Sequence, residues 1–371
     1  MSIYEKAKKK TGPYKLLALD GGGIRGLITL EVLEKIESIL RESLGKKDLL
    51  LGEYFDYIAG TSTGAIIGTA LSWGMSVKEV KEFYEESGKK MFQKKYVFLP
   101  GFLFNKYGNK NLSNKLKEVF GEDTTFGSDK LKTLLMLVMR NANTDSPWPV
   151  SNNPYAKYND TSKPDSNLNL PLWQLVRAST AAPTFFLEEK VELGNRKFSF
   201  VDGGVTCYND PAFQLFLMAT LEPYKLMWPT GEDNMLLVSV GTGLTPNINQ
   251  KSKSNILDVA KKTPGALMLA TQYQQDLLCR TFGKCLCGDI INREVGDMVG
   301  AKGPAEPKLF TYMRYNAKLT REGLDLLGGL DDIDPKQVEQ MDSVQHMEEL
   351  KLIGKAIAKQ VNPEHFANFL L

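Results

Sequence analysis

The first part of the chain contains a short apolar run that ends abruptly in glycines. Residues 14–19 (Tyr-Lys-Leu-Leu-Ala-Leu) are mostly apolar and are followed by Asp20 and three glycines. This pattern is typical of a buried strand that ends in a tight turn. Beyond Gly26, apolar residues recur with the spacing of one helix face, at Val32, Leu33, Ile36, Ile39, Leu40 and Leu44. Strand, glycine turn and helix together predict the opening half of a parallel α/β unit.

The same order of patterns follows at once. Residues 54–59 predict a second strand, residues 60–64 a glycine-containing turn and residues 65–73 a helix. Residues 77–92 then mix apolar and charged positions in the manner of an amphipathic helix. The repeated strand–turn–helix order favours an α/β fold.

Further apolar runs predict strands later in the chain. Buried strands are expected at residues 131–139, 197–201 and 235–240, and an edge strand at residues 309–315. A helix is predicted to end in residues 178–183 (Ala-Ser-Thr-Ala-Ala-Pro). The α/β pattern therefore extends well beyond the middle of the chain.

The last third of the chain has a more helical pattern. Residues 256–278 are largely helical in pattern, with an interruption at Pro264 and Gly265, and the tail at residues 344–370 is helical again. This tail carries both histidines of the chain, His346 and His365.

The sequence shows no internal repeat and no linker rich in Pro, Gly or Ser. We therefore expect one α/β domain over residues 1–371, with the candidate motifs in about residues 14–211 and a helical part, about residues 245–371, packed on it. Residues 141–169 are crowded with Asn, Pro, Ser, Asp and Lys and lack periodicity. Such a long connection is either a functional lid or a plain insertion, and the sequence leaves both interpretations open.

Composition and charge exclude several classes of protein. The chain has 42% hydrophobic and 24% charged residues, as ordinary globular proteins do, which excludes a disordered or collagen-like chain. Its 46 basic and 44 acidic residues give a net charge of +2, without the basic excess typical of nucleic-acid binding. No run reaches the roughly 18 apolar residues of a membrane-spanning helix, and the lysine-rich start does not resemble a secretory signal. With four cysteines and no disulfide or zinc pattern, we expect reduced thiols and a cytoplasmic location.

The first candidate motif is the glycine-rich turn at residues 20–26 (Asp-Gly-Gly-Gly-Ile-Arg-Gly). Consecutive glycines ahead of a helix present backbone N–H groups at the positive end of its dipole. Gly21, Gly22 and Gly23 could therefore stabilise an oxyanion. The G-x-G-x-x-G spacing also fits a dinucleotide fingerprint, but the acidic residue expected about 20 positions later at the end of a second strand is absent. A dinucleotide-binding enzyme and a turn without a ligand remain as alternatives.

The second motif is a G-x-S-x-G sequence at residues 60–64. Its setting between a predicted strand and a predicted helix is that of a nucleophile elbow, in which Gly60 and Gly64 leave room for the backbone and Ser62 projects outward. Ser62 is thus the candidate nucleophile, with a plain turn serine as the alternative.

A serine nucleophile needs a base. Ser62, Asp202 and His365 occur in the chain order of an α/β-hydrolase triad, but His365 lies in a short amphipathic pattern that favours a structural role. The other candidate base is Asp202, which ends a predicted strand and is followed by Gly203 and Gly204. An aspartate is a weak base in water, so this role requires a short hydrogen bond to Ser62 in a partly dry site.

The three motifs D-G-G-G-x-R-G, G-x-S-x-G and D-G-G, in this order, resemble those of the patatin-like phospholipase family. The resemblance covers roughly residues 14–211, and residues 178–183 resemble a further motif of that family. It implies a three-layer α/β/α fold with a mostly parallel central sheet and a lipid acyl hydrolase of the phospholipase A or lysophospholipase type. It also implies that Ser62 is the nucleophile and Asp202 the proton acceptor. Gly22 and Gly23 would supply oxyanion-hole amides, with Arg25 as electrostatic support.

The resemblance also bears on cofactors and partners. It implies a phospholipid or other acyl-ester substrate at a membrane surface, reached by peripheral contact, with no cofactor. The segment at residues 331–335 (Asp-Asp-Ile-Asp-Pro) lacks the glycine and the terminal glutamate of a calcium-binding EF-hand loop, so we expect no metal. Some bacterial relatives are nucleotide-activated, and the motifs leave open whether this chain is. Aromatic residues that could contact lipid, or simply pack, are Phe102, Phe104, Trp148 and Tyr155. A catalytically idle lipid-binding scaffold remains an alternative, and the oligomeric state is not determined by the sequence.

Overall fold

The computed structural model describes residues 4–5, 8, 11–91, 109–183, 186–246 and 256–370. The strands are β1 (Tyr14–Leu19), β2 (Tyr57–Thr61), β3 (Leu134–Asn141), β4 (Pro147–Ser151), β5 (Glu189–Leu193), β6 (Arg196–Asp202), β7 (Met235–Val240), β8 (Lys284–Cys287) and β9 (Thr311–Tyr315). The helices are α1 (Gly26–Leu44), α2 (Leu51–Tyr54), α3 (Thr63–Trp73), α4 (Val77–Met91), α5 (Asn109–Phe120), α6 (Leu172–Ser179), α7 (Ala212–Thr220), α8 (Ile256–Phe282), α9 (Arg321–Leu327), α10 (Pro335–Val338) and α11 (Met347–Ala358).

All the strands belong to one sheet with the order β5-β6-β3-β2-β1-β7-β9-β8, and β4 also pairs with β3. From β3 to β8 every pairing along this order is parallel. The strands β4, β5 and β6 pair antiparallel. The carboxyl ends of the parallel strands therefore meet at one edge of the sheet, where α/β proteins place their ligands.

Helices cover both faces of this sheet. In β1, Leu17 and Leu19 join a core cluster that includes residues of α1, α3 and α11, whereas Leu16 and Ala18 join a second cluster with residues of α7. A strand buried on both faces needs apolar residues at successive positions, which explains the continuous apolar runs. The expected three-layer α/β/α fold with a mostly parallel sheet is confirmed.

The C-terminal part differs from its expected helical character. The strands β8 and β9 both lie within it and extend the main sheet. The strand predicted at residues 309–315 is present as β9, but its predicted edge position is wrong, because β9 pairs with β7 on one side and β8 on the other. At four residues, β8 is too short to give a periodic signal. Helix α8 runs through Pro264 as a single 27-residue helix, although proline removes one backbone hydrogen bond.

Two further predictions needed correction. Residues 51–54 are helical and the second strand begins only at Tyr57, since the apolar run 54–59 spans a helix end and a strand start. The connection at residues 141–169 is not wholly irregular, because it contains β4, which pairs with β3 from Met136 to Arg140. Within the described residues, no helix combines the length and the hydropathy needed to cross a bilayer.

Candidate active site

Ser62 lies between the end of β2 and the start of α3, in a sharp turn of the backbone. Its φ of 54° and ψ of −118° are unusual for a residue with a side chain. Such strain is typical of a nucleophile elbow, in which a strand-to-helix turn projects the serine outward. Ser62 is also partly exposed, whereas its neighbours Thr61 and Thr63 are buried.

The glycines on either side of Ser62 allow the close packing of this turn. A Cβ on Gly64 would lie 2.2 Å from the carbonyl oxygen of Leu19, and a Cβ on Gly60 would lie 2.1 Å from the carbonyl oxygen of Gly64. Side chains at either position would therefore separate α3 from β1 and β2.

Asp202 reaches Ser62 because of the register of β6. Thr61 pairs with Val138 of β3, and Asp202 pairs with the next residue, Met139. This places the end of β6 just beyond the end of β2. The Ser62 hydroxyl donates a hydrogen bond of 2.6 Å to Oδ2 of Asp202.

The carboxylate of Asp202 is almost fully buried, at 4% exposure. Its Oδ1 accepts a 2.6 Å hydrogen bond from the amide of Gly204, in the turn Gly203–Val205. Burial raises the pKa of Asp202 from 3.8 to about 6, while the bonds from Ser62 and Gly204 and the charge of Arg177 oppose the rise. Arg177 is itself completely buried. Asp202 is therefore a stronger base than an aspartate in water.

Ser179, at the end of α6, supports the backbone at Ser62. Its hydroxyl accepts a 3.0 Å hydrogen bond from the amide of Ser62 and donates one of 2.5 Å to the carbonyl of Val138. Ser179 thus ties the elbow to β3, the same strand that pairs with Asp202.

The glycine-rich loop lies beside the elbow, because a Cβ on Gly21 would be 3.2 Å from Cβ of Ser62. The amide of Gly21 donates to the carbonyl of Asn209 at 3.1 Å, so it is already engaged. In the described part of the chain, no hydrogen bond is donated by the amides of Gly22 and Gly23. These two amides are therefore the candidate donors to an oxyanion.

Arg25 is buried at 3% exposure and contacts backbone atoms. Its side chain donates to the carbonyl of Gly22 and to that of Glu339, each at 3.4 Å. Burial lowers the pKa of Arg25 to about 10, which still leaves it charged at neutral pH. Arg25 therefore places a positive charge against the backbone of the glycine-rich loop, at the carbonyl of Gly22.

Both histidines have partners other than Ser62. His365 shares a 2.7 Å hydrogen bond with the hydroxyl of Tyr315, and His346 lies 2.9 Å from the carboxylate of Glu349. Asp202 contacts Ser62 directly, with no histidine between them. The geometry therefore favours the aspartate over a histidine as the base.

The aromatic candidates have different environments. Trp148 packs against Phe198 and Phe200 at centroid distances of 5.1 and 5.0 Å, which supports the packing interpretation. Tyr155 is 37% exposed. Phe102 and Phe104 lie outside the described residues.

Three residues near the site were not singled out for these roles by the sequence: Arg177, Asn209 and Thr242. Each reaches the site through contacts between distant parts of the chain. The only sequence signal was indirect, since Arg177 directly precedes the motif at residues 178–183. Among the described residues, no group of three or more His, Cys, Asp or Glu side chains is arranged to hold a metal ion.

The chain is similar to proteins named patatin and cGAMP-activated phospholipase. The chain is 30% identical to Patatin-T5 of Solanum tuberosum over 253 residues, which covers 63% of this chain and 62% of that protein. It is 32% identical to a cGAMP-activated phospholipase of Vibrio cholerae over 222 residues, covering 57% of this chain and 58% of that protein. The chain thus spans less than two thirds of the length of either relative.

A looser match is found to the crystal structure of VipD from Legionella pneumophila. It covers 91% of this chain and 66% of that chain at 14% identity, with a TM-score of 0.36, which is too low to support an argument. The family described as patatin-like phospholipase matches residues 17–216, a span that includes all three motifs and more than half of the chain. The chain therefore belongs to the patatin-like phospholipase family.

Proposed function

We propose that the protein is a lipid acyl hydrolase of the phospholipase A or lysophospholipase type. Ser62 is the nucleophile and Asp202 the base, and the amides of Gly22 and Gly23 form the oxyanion hole. The observation that carries this proposal is the 2.6 Å hydrogen bond from the Ser62 hydroxyl to the buried carboxylate of Asp202.

The first half of the reaction forms an acyl-enzyme. Ser62 Oγ attacks the ester carbonyl carbon while its proton passes to Asp202, and the carbonyl oxygen becomes a negatively charged oxyanion. Backbone amides aimed at this oxygen stabilise the charge, which they do best where water is excluded. The carbon–oxygen bond of the ester then breaks, and the leaving alkoxide takes the proton from Asp202.

The second half releases the acid. Water attacks the acyl-enzyme, Asp202 takes one of its protons, and the carbon–oxygen bond to Ser62 breaks. The proton on Asp202 returns to Ser62 Oγ, so the carboxylic acid leaves and the starting enzyme is restored. The pKa of about 6 suits Asp202 to both directions of transfer at neutral pH.

Family membership supports a glycerolipid substrate at a membrane surface, and we place the protein in the cytoplasm in peripheral contact with that membrane. The name of the Vibrio cholerae relative specifies activation by cGAMP. Addition of cGAMP to the vesicle hydrolysis assay tests whether this nucleotide also activates the present chain.

Labelling with a fluorophosphonate probe, followed by peptide mapping, tests the nucleophile. The label is expected on Ser62 and lost in Ser62→Ala. The matched control is Ser72→Ala, which removes another serine hydroxyl from the region of α3 and is expected to label normally. Hydrolysis of mixed phospholipid vesicles is measured on the same three proteins.

A label on any other residue contradicts the assignment of the nucleophile. If Ser62→Ala hydrolyses lipid at the wild-type rate, or if the wild type does not hydrolyse it, the idle-scaffold alternative gains support. Tight binding of a nicotinamide or flavin cofactor supports the dinucleotide alternative.

A further inference from the structure

A buried threonine from a distant part of the chain contacts the glycine-rich loop. Thr242 lies in the turn after β7 and is completely buried. Its hydroxyl donates a 2.8 Å hydrogen bond to the carbonyl oxygen of Gly21, 221 positions earlier. A Cβ on Gly22 would lie 2.1 Å from this hydroxyl oxygen, so the threonine occupies the space that a side chain at position 22 requires.

This contact constrains one peptide plane. The cis bonds found in the described chain precede Pro13 and Pro307, so the bond between Gly21 and Gly22 is trans. In a trans peptide the C=O and the following N–H point in opposite directions. Holding the carbonyl of Gly21 therefore also sets the direction of the Gly22 amide.

We infer that Thr242 is a positioning residue that fixes the Gly21–Gly22 peptide so that the Gly22 amide serves the oxyanion hole. The inference rests on the proposed function, because an oxyanion hole matters only if Ser62 attacks an ester. A peptide turned the other way would direct a carbonyl oxygen at the developing negative charge and would oppose the reaction.

The neighbouring contacts indicate that the carbonyl of Gly21 is held mainly by the hydroxyl of Thr242. Among the described residues, the other donor to this carbonyl is Nδ2 of Asn209, which is farther away at 3.4 Å. The carbonyl of Gly22, in contrast, accepts from both the amide and the side chain of Arg25, at 3.3 and 3.4 Å. The Gly22–Gly23 peptide is thus held from within the loop, whereas the Gly21–Gly22 peptide depends on other parts of the chain.

The turn that carries Thr242 is fixed on both sides. The hydroxyl of Thr29 donates a 2.8 Å hydrogen bond to the carbonyl of Gly241, and the amide of Gly243 donates one of 2.8 Å to Oδ1 of Asn316. Contacts with α1 and with the end of β9 therefore fix the turn after β7, so that the hydroxyl of Thr242 lies against the glycine-rich loop.

The test compares Thr242→Val, which has nearly the same shape but no hydroxyl, with Thr242→Ser, which keeps one. With the soluble ester p-nitrophenyl butyrate, we expect kcat of Thr242→Val to fall about 10- to 100-fold while KM changes by less than about twofold. Binding of a trifluoromethyl ketone, which forms an oxyanion on Ser62, is expected to weaken by a similar factor. Thr242→Ser is expected to recover most of both losses.

Thr133→Val is the matched control, because Thr133 is 2% exposed and donates a 2.7 Å hydrogen bond to the carbonyl of Phe55, at the amino end of the sheet. It is expected to lose a similar amount of stability with no change in kcat. If Thr242→Val does not fold, Thr242→Ala removes the same hydroxyl in its place.

Several outcomes overturn the inference. They are an unchanged kcat in the folded Thr242→Val or Thr242→Ala variant, a loss of kcat that Thr242→Ser fails to recover, or an equal loss in Thr133→Val. If wild type itself shows no turnover dependent on Ser62, the proposed function fails and the inference fails with it. If wild type turns over and Thr242→Val matches it, the inference alone fails.

Discussion

Two buried carboxylates lie at the carboxyl edge of the same sheet, but they have different partners. Asp202, after β6, is 4% exposed and contacts the neutral hydroxyl of Ser62. Asp20, after β1, is completely buried and forms two hydrogen bonds, of 2.8 and 2.5 Å, with the guanidinium of Arg314. Asp210 lies 3.2 Å from the same guanidinium.

Burial raises the pKa of all three carboxylates, to about 6 in Asp202 and about 7 in Asp210, so it is their partners that distinguish them. The two carboxylates around Arg314 raise its pKa well above the usual value, so it stays protonated and anchors the start of the glycine-rich loop. Asp202 instead accepts hydrogen bonds from the Ser62 hydroxyl and the Gly204 amide, and burial raises its pKa to about 6. The first arrangement compensates buried charges with each other, and the second suits the proton transfer that we propose for Asp202.

The substitution Asp202→Asn separates activity from stability most sharply. Because the amide cannot accept the serine proton, kcat with p-nitrophenyl butyrate is expected to fall by about 10² to 10⁴-fold. In the folded protein the pKa of Asp202 lies above its ordinary 3.8, so keeping it ionised at pH 7 costs free energy that asparagine does not. The free energy of unfolding in urea is therefore expected to rise, by about 1–3 kcal/mol. A wild-type rate in this variant contradicts the role of Asp202.

The substitution Arg314→Leu is expected to lower the stability of the fold, whereas Asp202→Asn is expected to raise it. It leaves Asp20 and Asp210 buried without their cation, so the free energy of unfolding should fall by about 3–5 kcal/mol in urea denaturation. The control is Lys78→Met, which breaks an exposed pair with Glu82 at 3.9 Å and should cost less than about 1 kcal/mol. Equal effects of the two substitutions would show that the buried ion pair is not a structural anchor.

The pH dependence of the reaction is expected to report on the ionisation of Asp202, with Asp202→Asn as the control that separates it from other buried carboxylates such as Asp210. Because the base acts as the anion, kcat/KM is expected to be level above the pKa of about 6 and to fall as pH drops below it. The fall should approach tenfold per pH unit, measured with a soluble ester over a range in which the protein stays folded. The residual rate of Asp202→Asn should not show this fall of kcat/KM at low pH. If kcat/KM begins to fall only near pH 4, the carboxylate of Asp202 is not desolvated when it reacts.

Elements buried on both faces were predictable from the sequence. The run at residues 235–240 predicted β7 with the bounds that the structure has, as did the run at residues 14–19 for β1. The four-residue strand β8 gave no signal, because it is short and its place depends on pairing with β9. Without β8, β9 had to be taken for an edge strand.

Of the candidate site, the sequence predicted only the residues that lie within its motifs. Ser62 and Asp202 stood out because glycines flank them at the ends of predicted strands, and the structure brings them together across 140 positions. Thr242 and Arg314 each carry no local signal of their roles. Their partners lie 221 and 294 positions away, and only the order of strands in the sheet makes them neighbours.

The central position of β1 limits how the proposed catalytic residues can be transferred between proteins. One of its neighbours, β2, lies within the family-matched residues 17–216, but the other, β7, begins only at Met235. A chimera that transplanted residues 17–216 alone would leave one side of β1 unpaired and Asp20 without its counterion. For protein engineering, the smallest transferable cassette therefore runs at least to Asn316, the residue that ties down the turn carrying Thr242.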